Sequence, residues 1–214
     1  MTPAQYDAWY DTPRGRWIGN TEYDCIRSLL DLQPGDTVLD VGCGTGWFTR
    51  RVAADGVQVV GLDRDAEALA FAREHSVGGA RYVHGDATAL PFADASFDAV
   101  LSVTALCFVE KWPRALAEIV RVGRRRFVLG LLNRRSLLWL DKARQGGRGA
   151  YRGAHWHTRD EVDNALRVVP VCNVRYRYGV FVPSASWIAR AAERGLPSGL
   201  PLGSLLAVAG DIER

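Results

Sequence analysis

With 214 residues, 48% of them hydrophobic and 24% charged, the chain has the makeup of a soluble globular protein with one substantial core. No uninterrupted apolar stretch approaches a bilayer span, and residues 1–17 lack the basic and apolar regions of a leader, so a cytoplasmic location without integral membrane contact is expected. The formal net charge of +3 conceals two opposed segments: residues 31–98 carry eleven acids against five arginines, and residues 121–152 carry ten basic residues against Asp141 alone. The acidic segment disfavours a polyphosphate ligand. The basic one suits an anionic substrate, RNA or lipid headgroups, or is a solvated face; the last is preferred, because only two lysines occur and arginine serves as the general-purpose cation. Cys25, Cys43, Cys107 and Cys172 stand far apart without a CxxC pair, which points to reduced, structural thiols.

In chain order, the aromatics Tyr6, Trp9, Tyr10 and Trp17 come first. Their spacing fits equally a lid helix over a ligand site and an amphipathic helix that packs on a sheet. Strands are predicted near 37–41, 57–62, 80–84, 97–102 and 126–131, with helical segments between them, the signature of a parallel sheet covered on both faces. The first crossover helix starts at the glycine turn 42–46, buries Phe48 and Val52, and stops at Gly56. Asp65 is a plausible N-cap for the second, and Pro113 opens the third. Thr158 and Glu161 form a capping-box pattern for a later helix. A β-like stretch at 170–182 and the apolar run SLLAVAG are expected to make an antiparallel edge, with a helical insertion at 184–194 between them. The fold class expected is therefore α/β, a Rossmann-like doubly wound, mostly parallel seven-stranded sheet with an antiparallel edge and helices on both faces.

The glycine turn reads GCGTGW. A dinucleotide turn would place a third glycine at position 47, where this chain has Trp. In a doubly wound sheet the turn shares one crevice with Asp63, at the end of the second strand. A carboxylate there suits a ribose diol and repels a ribose phosphate. Asp86, after the third strand, can accept from the exocyclic amine of adenine, and the Ala87 N–H can donate to a ring nitrogen. Together these describe a nucleoside without phosphates, and S-adenosylmethionine meets that description.

The runs VLDVGCGTG, VVGLDRD and GDATALPFADASFDAVLSVTALCFVEKWPRALAEIVRV resemble the motifs of class I S-adenosylmethionine-dependent methyltransferases, in particular the small-molecule group similar to the ubiquinone and menaquinone biosynthesis enzymes. The likeness covers residues 35–122 well and 155–182 loosely. It implies that Gly42, Gly44 and Gly46 contact the methionine part of the cofactor, that Asp40 supports its amino group, that Asp63 with the adjoining Arg64 meets the ribose, that Asp86 and Ala87 meet the adenine, and that Ser102 borders the sulfonium. The chain departs from the family in reading RVGRRRF where a Pro-Gly-Gly turn is usual before the fifth strand. The resemblance divides a single domain, 1–214, into an N-terminal helical lid or cap (1–34, with Tyr6, Tyr10 and Trp17), a cofactor-binding half (35–132) and a substrate-side half (133–214).

His155 and His157 are weak candidates for binding substrate or taking its proton, since they have no visible partner carboxylate; idle loop histidines are the favoured reading. No metal site is expected there, for want of a third ligand. His84 is expected in the pocket wall and His75 on a helix surface. The expected activity is methyl transfer to a small-molecule acceptor by a monomer or homodimer, the alternatives being an RNA or protein methyltransferase or a cofactor-binding regulator without turnover. The fourth strand ends in SVTA, without an Asn/Asp-Pro-Pro-Tyr pattern, and no recognition domain is added, so nucleic acid is not the expected partner.

Overall fold

The structure is a computed structural model that describes residues 1–143, 149–184 and 186–214. Two N-terminal helices, α1 (Pro3–Trp9) and α2 (Pro13–Leu30), precede the sheet. Each starts on a threonine whose hydroxyl caps the first turn, with proline at the first helical position, where its missing N–H costs nothing. Helix α2 buries Ile18, Ile26, Leu29 and Leu30, and ends at Asp31, which adopts the left-handed conformation.

From there strands and helices alternate: β1 (Thr37–Val41), α3 (Trp47–Ala54), β2 (Gln58–Asp63), α4 (Ala66–Glu74), β3 (Arg81–His84), β4 (Phe97–Val103), α5 (Trp112–Val122) and β5 (Gly123–Leu132). The anticipated helix signals are all used. Gly56, just beyond α3, has a φ of +81°. The Asp65 carboxylate accepts from the N–H groups of Glu67 and Ala68 at the start of α4. Pro113 lies in the first turn of α5, which presents Ala115, Leu116, Ile119 and Val120 to the core.

After β5 come α6 (Leu137–Lys142), α7 (Arg159–Leu166), β6 (Val171–Gly179), α8 (Trp187–Gly195) and β7 (Leu205–Ile212). Helix α7 carries the capping box: the Glu161 N–H donates to the Thr158 hydroxyl at 3.3 Å, and the Thr158 N–H donates to the Glu161 carboxylate at 2.8 Å. The insertion expected at 184–194 is α8, apart from residue 185, which lies outside the described residues.

The seven strands form one sheet in the order β3-β2-β1-β4-β5-β7-β6. All are parallel to their neighbours except β7, which runs antiparallel to β5 and to β6. The reversed strand thus sits one place in from the edge, and β6 is the outer strand. Apolar side chains from the two faces of the sheet build two cores, one under α5 and α7, the other under α2, α3 and α4. Helix α5 ends and β5 begins without an intervening turn. Gly123 fills the place of the missing Pro-Gly-Gly, because a Cβ there would stand 2.5 Å from Cδ1 of Ile212.

The opposed charges of the two segments meet at the amino ends of the strands. Arg124 pairs with Asp98, Arg125 with Asp36, and Arg126 with Asp211 and Asp31. Asp98 also accepts from the N–H and hydroxyl of Thr37, at 2.9 and 2.8 Å. Arg121 is held by Glu118 and Asp94. Arg126 is buried in its pairs, whereas Arg124 is exposed, as are Arg134, Arg135 and Arg152 farther along, and Arg125 is partly so; the segment is largely the solvated face expected, tied down by ion pairs at the end of the sheet remote from the carboxyl ends of the strands. Arg144 and Arg148 of the same basic segment lie outside the described residues.

The Leu116 side chain on α5 is fully buried. Leu116→Ala is expected to cost about 2–5 kcal/mol of unfolding free energy, read as a lowered denaturation midpoint at unchanged slope.

Candidate active site

The order β2-β1-β4 places a topological switch at β1, where neighbours reach the strand by crossovers in opposite directions. The carboxyl ends of β1, β2 and β4 open there onto a cavity of about 650 Å³. Its floor is the turn Gly42–Gly46, in which all three glycines have positive φ, between 53° and 80°. A Cβ on Gly42 would fall 2.2 Å from Cβ of Ala105, and one on Gly46 would fall 2.7 Å from the Tyr82 hydroxyl. At Gly44 it would meet nothing within 4 Å, because this backbone faces the open cavity. Position 44 is thus the place where a ligand can lie directly on main chain.

Asp63 holds the turn from the neighbouring strand. One carboxylate oxygen accepts from the Gly44 N–H at 2.7 Å and the other from the Asp65 N–H at 2.9 Å. Each oxygen keeps lone pairs for a diol. Asp86 lines the same cavity and is braced by the N–H and hydroxyl of Thr88, which hold its carboxyl below its ordinary range and keep it an acceptor. Arg64, Ala87 and Thr88 complete that wall.

Four residues expected at the site lie outside the cavity lining, Gly46 among them, packed against Tyr82. Asp40 is fully buried behind the turn, where its carboxylate accepts from the Thr49 hydroxyl at 2.6 Å; it does not line the cavity. Burial pushes its pKa up to about 7, opposed by the Thr49 hydrogen bond and assisted by the Asp63 charge. Ser102 is turned into the sheet, its hydroxyl donating to the Val41 carbonyl at 2.8 Å, and the end of β4 faces the cavity through Val103, Thr104 and Ala105 instead. Thr104 adopts a left-handed φ of 57°, an arrangement that sequence reasoning did not anticipate. His84 is exposed, with Nε2 3.0 Å from the Arg64 carbonyl, and is not part of the wall; His75 is a surface residue stacked on Phe71.

The aromatic N-terminus divides. Tyr6 and Tyr10 line the cavity, and Tyr10 stacks on Trp47 at 4.2 Å between ring centroids. Trp17 faces a separate groove bounded by Arg190 and Glu193. Helix α1 is pinned to the glycine turn by Asp7, which accepts from the Thr45 hydroxyl at 2.8 Å and pairs with Arg50, also at 2.8 Å. Arg50 in turn donates to the Thr45 carbonyl. Aromatic spacing alone gave no sign of this latch; an acid among the aromatics, opposite a glycine turn followed by arginines, is the signal that carries it.

A second cavity, of about 420 Å³, adjoins the first. Both are lined by Tyr6, Tyr10, Thr104 and Phe108. The second is mostly apolar, with Trp9, Ile18, Leu132, Leu138 and Tyr151 in its wall. Among its few polar groups are Glu22, Arg14 and Lys142. Glu22 has no ion-pair or hydrogen-bond partner among the described residues, and burial pushes its pKa up to about 8.

His155 and His157 line neither cavity. His157 is completely buried, its ring edge-on to Trp112, and burial followed by the neighbouring His155 lowers its pKa to about 4. The expectation that no third ligand stands beside them fails, since Glu161 is brought to the same spot.

A cradle of bare main chain flanked by two braced carboxylates fits the methionine, ribose and adenine portions of S-adenosylmethionine. Comparison with known proteins agrees with this fit. Residues 39–127 match the methyltransferase domain family. A malonyl-[acyl-carrier protein] O-methyltransferase of Erwinia pyrifoliae is 46% identical over 101 residues, 46% of this chain and 38% of that protein. An uncharacterized protein of Mycobacterium bovis is 38% identical over 175 residues, 76% of this chain and 56% of that protein. The chain therefore spans between about a third and somewhat over half of these relatives. A solved Thermotoga maritima protein, described as an S-adenosylmethionine-dependent methyltransferase and a possible histamine N-methyltransferase, superposes with a TM-score of 0.78 at 22% identity, covering 98% of this chain and 96% of that one. Residues 39–127 thus match a methyltransferase domain, and the chain as a whole shares the fold of that solved protein. No helix among the described residues is long and apolar enough to cross a membrane.

Two outcomes follow for the cradle. Asp63→Ala should weaken binding of S-adenosylhomocysteine about ten- to hundredfold in calorimetry, the scale of one to two lost charge-assisted hydrogen bonds. Asp7→Ala should weaken it several-fold while shifting the melting temperature little, because the lid latch is lost and the sheet is untouched.

Proposed function

We propose that this methyltransferase-domain chain transfers the methyl group of S-adenosylmethionine to a small, largely apolar acceptor held in the 420 Å³ cavity. The observation that carries this reading is the common wall of two cavities, one suited to the cofactor and the other of a size that small ligands fill. The cofactor supplies an already activated methyl group on a sulfonium. The task left to the chain is to hold the acceptor in line and exclude water. Tyr6, Tyr10 and Phe108 are in a position to shield the junction, and α1, fastened through Asp7, holds two of them there.

Glu22 supplies an acid to the wall of the acceptor cavity. In its ionised form it accepts the proton of an acceptor hydroxyl or amine as the new bond to carbon forms, and the carboxylic acid then returns that proton to solvent. Arg121 and Arg124–Arg126 are engaged in ion pairs at the opposite end of the sheet, which favours a small acceptor over RNA. A botryococcene C-methyltransferase of Botryococcus braunii, 40% identical over 103 residues, is in keeping with an apolar acceptor, whereas the malonyl-[acyl-carrier protein] enzymes are named for a polar acyl group held on a carrier protein.

Incubation with methyl-labelled S-adenosylmethionine and a metabolite extract should yield S-adenosylhomocysteine together with a labelled small product; label confined to RNA or protein would overturn the reading. Leu138 borders only the acceptor cavity, so Leu138→Phe should raise the acceptor KM about tenfold and leave the S-adenosylhomocysteine Kd unchanged. Glu22→Gln should lower kcat/KM about a hundredfold or more and remove a rising limb near pH 8. An unchanged pH profile would remove Glu22 from proton transfer.

The same carboxyl groups set a stability slope. Folded Glu22 and Asp40 keep their protons to about pH 8 and 7, whereas unfolded carboxyls lose theirs near 4.5 and 3.8. Between those limits the folded chain binds more protons than the unfolded one, so its stability falls as pH rises. Denaturant melts of the ligand-free chain at pH 5 and pH 8 should show this loss, and Glu22→Gln should reduce it.

A further inference from the structure

Away from both cavities, the segment leading into α7 gathers three donor side chains. One ligand atom from each of His155, His157 and Glu161 lies within 4.8 Å of the others. His155 Nε2 stands 3.6 Å from a Glu161 carboxylate oxygen, and the two imidazole rings meet edge to face at 4.5 Å. His157 is completely buried, yet neither of its ring nitrogens has a hydrogen-bond partner among the described residues. A neutral imidazole carries one donor and one acceptor, and buried polar atoms are ordinarily satisfied by protein, water or an ion. Two orphaned nitrogens beside a second imidazole and a carboxylate therefore call for an occupant.

We propose that His155, His157 and Glu161 bind a divalent transition-metal ion of borderline softness, with Zn²⁺ as the reference ion and water completing the coordination. Two imidazoles and one carboxylate match the donor preference of such ions and not that of Mg²⁺ or Ca²⁺, which favour sets made of oxygen. Ligand atoms around one tetrahedral zinc stand about 3.3 Å apart, given zinc–ligand distances of about 2.0–2.1 Å. The contraction needed falls on the more exposed His155 and Glu161 side chains, since His157 is fixed by its backbone N–H to the Leu132 carbonyl at 2.8 Å.

The ion would act as a clamp and take no part in methyl transfer. The His155 N–H donates to the Cys107 carbonyl at 2.7 Å, within the 3-10 turn Ala105–Phe108 that borders both cavities. Joining His155 and His157 to Glu161 on α7 fastens that turn and the end of β5 to the substrate-side helix. The inference rests on this cluster alone and stands whether or not the acceptor reading does.

The test uses the full chain, freed of metal with EDTA and dialysed. Titration with ZnCl₂ in a calorimeter should show one equivalent per chain with a Kd in the micromolar range or below, and Zn²⁺ but not Mg²⁺ should raise the melting temperature. His155→Gln, on an exposed side chain, and Glu161→Gln, which keeps a capping residue at its helix position, should each weaken binding at least tenfold while leaving the metal-free melting temperature near that of the parent. The double variant His75→Gln/His84→Gln should bind zinc as the parent does. Absence of saturable zinc binding, or an unchanged Kd in His155→Gln, would overturn the proposal.

Discussion

The hydrogen bond from the Gly44 N–H to the Asp63 carboxylate is the constraint around which the site is organised. It joins the ends of two adjacent parallel strands and fixes a turn with positive φ at three glycines, of which Gly42 and Gly46 also have no room for a Cβ. Once the turn is fixed, bare main chain faces a cavity on one side, while Ala105 and the Tyr82 hydroxyl close against it elsewhere. Helix α1 then attaches to the next residue, Thr45, through Asp7. The wall on one side of the site and the α1 helix beside it thus depend on the same few atoms of turn.

The buried acids give this site an electrostatic character of its own. Asp40 and Glu22 are both held toward their neutral forms by burial, one behind the glycine turn and one in the 420 Å³ cavity. A cationic ligand arriving near either carboxyl would favour its ionised form and recover part of the desolvation cost. Asp63 and Asp86 differ, being braced by N–H groups that favour an accepting carboxylate. Four acids in one region thus differ in setting: Asp63 and Asp86 are braced by N–H groups, whereas burial favours the neutral forms of Asp40 and Glu22.

Much of this was legible in the sequence because the signals were local. The strand boundaries, the Asp65 cap, the Thr158–Glu161 capping box and the glycine turn are each written within a few residues, and the order of alternating elements fixes a parallel sheet. What escaped depends on direction. Ser102 lies at a strand end as expected, but strand alternation turns it inward and presents Val103 and the left-handed Thr104 to the cavity. Trp17 shares a helical stretch with apolar neighbours, yet faces another groove. The Asp7 latch joins residues 38 and 43 positions apart, the cavity around Glu22 is closed by residues from 104 onward, and the pairing of Arg124–Arg126 with distant acids is equally non-local. Glu161 could be read as a capping residue; that it also stands beside two histidines required the path of the intervening loop.

The position of β7 bears on how the molecule assembles. It follows β6 in the chain but lies between β5 and β6 in the sheet, bonded to both. During synthesis β6 therefore emerges with no edge to join, and must wait through α8 until β7 has been made. Its polar, largely exposed residues, Asn173, Arg175 and Arg177 among them, are suited to that interval, since charge on an unpaired strand discourages pairing with other chains. Sheet closure is thus a late, long-range event, and the Leu132 end of β5, which borders the 420 Å³ cavity, gains its final neighbour only then.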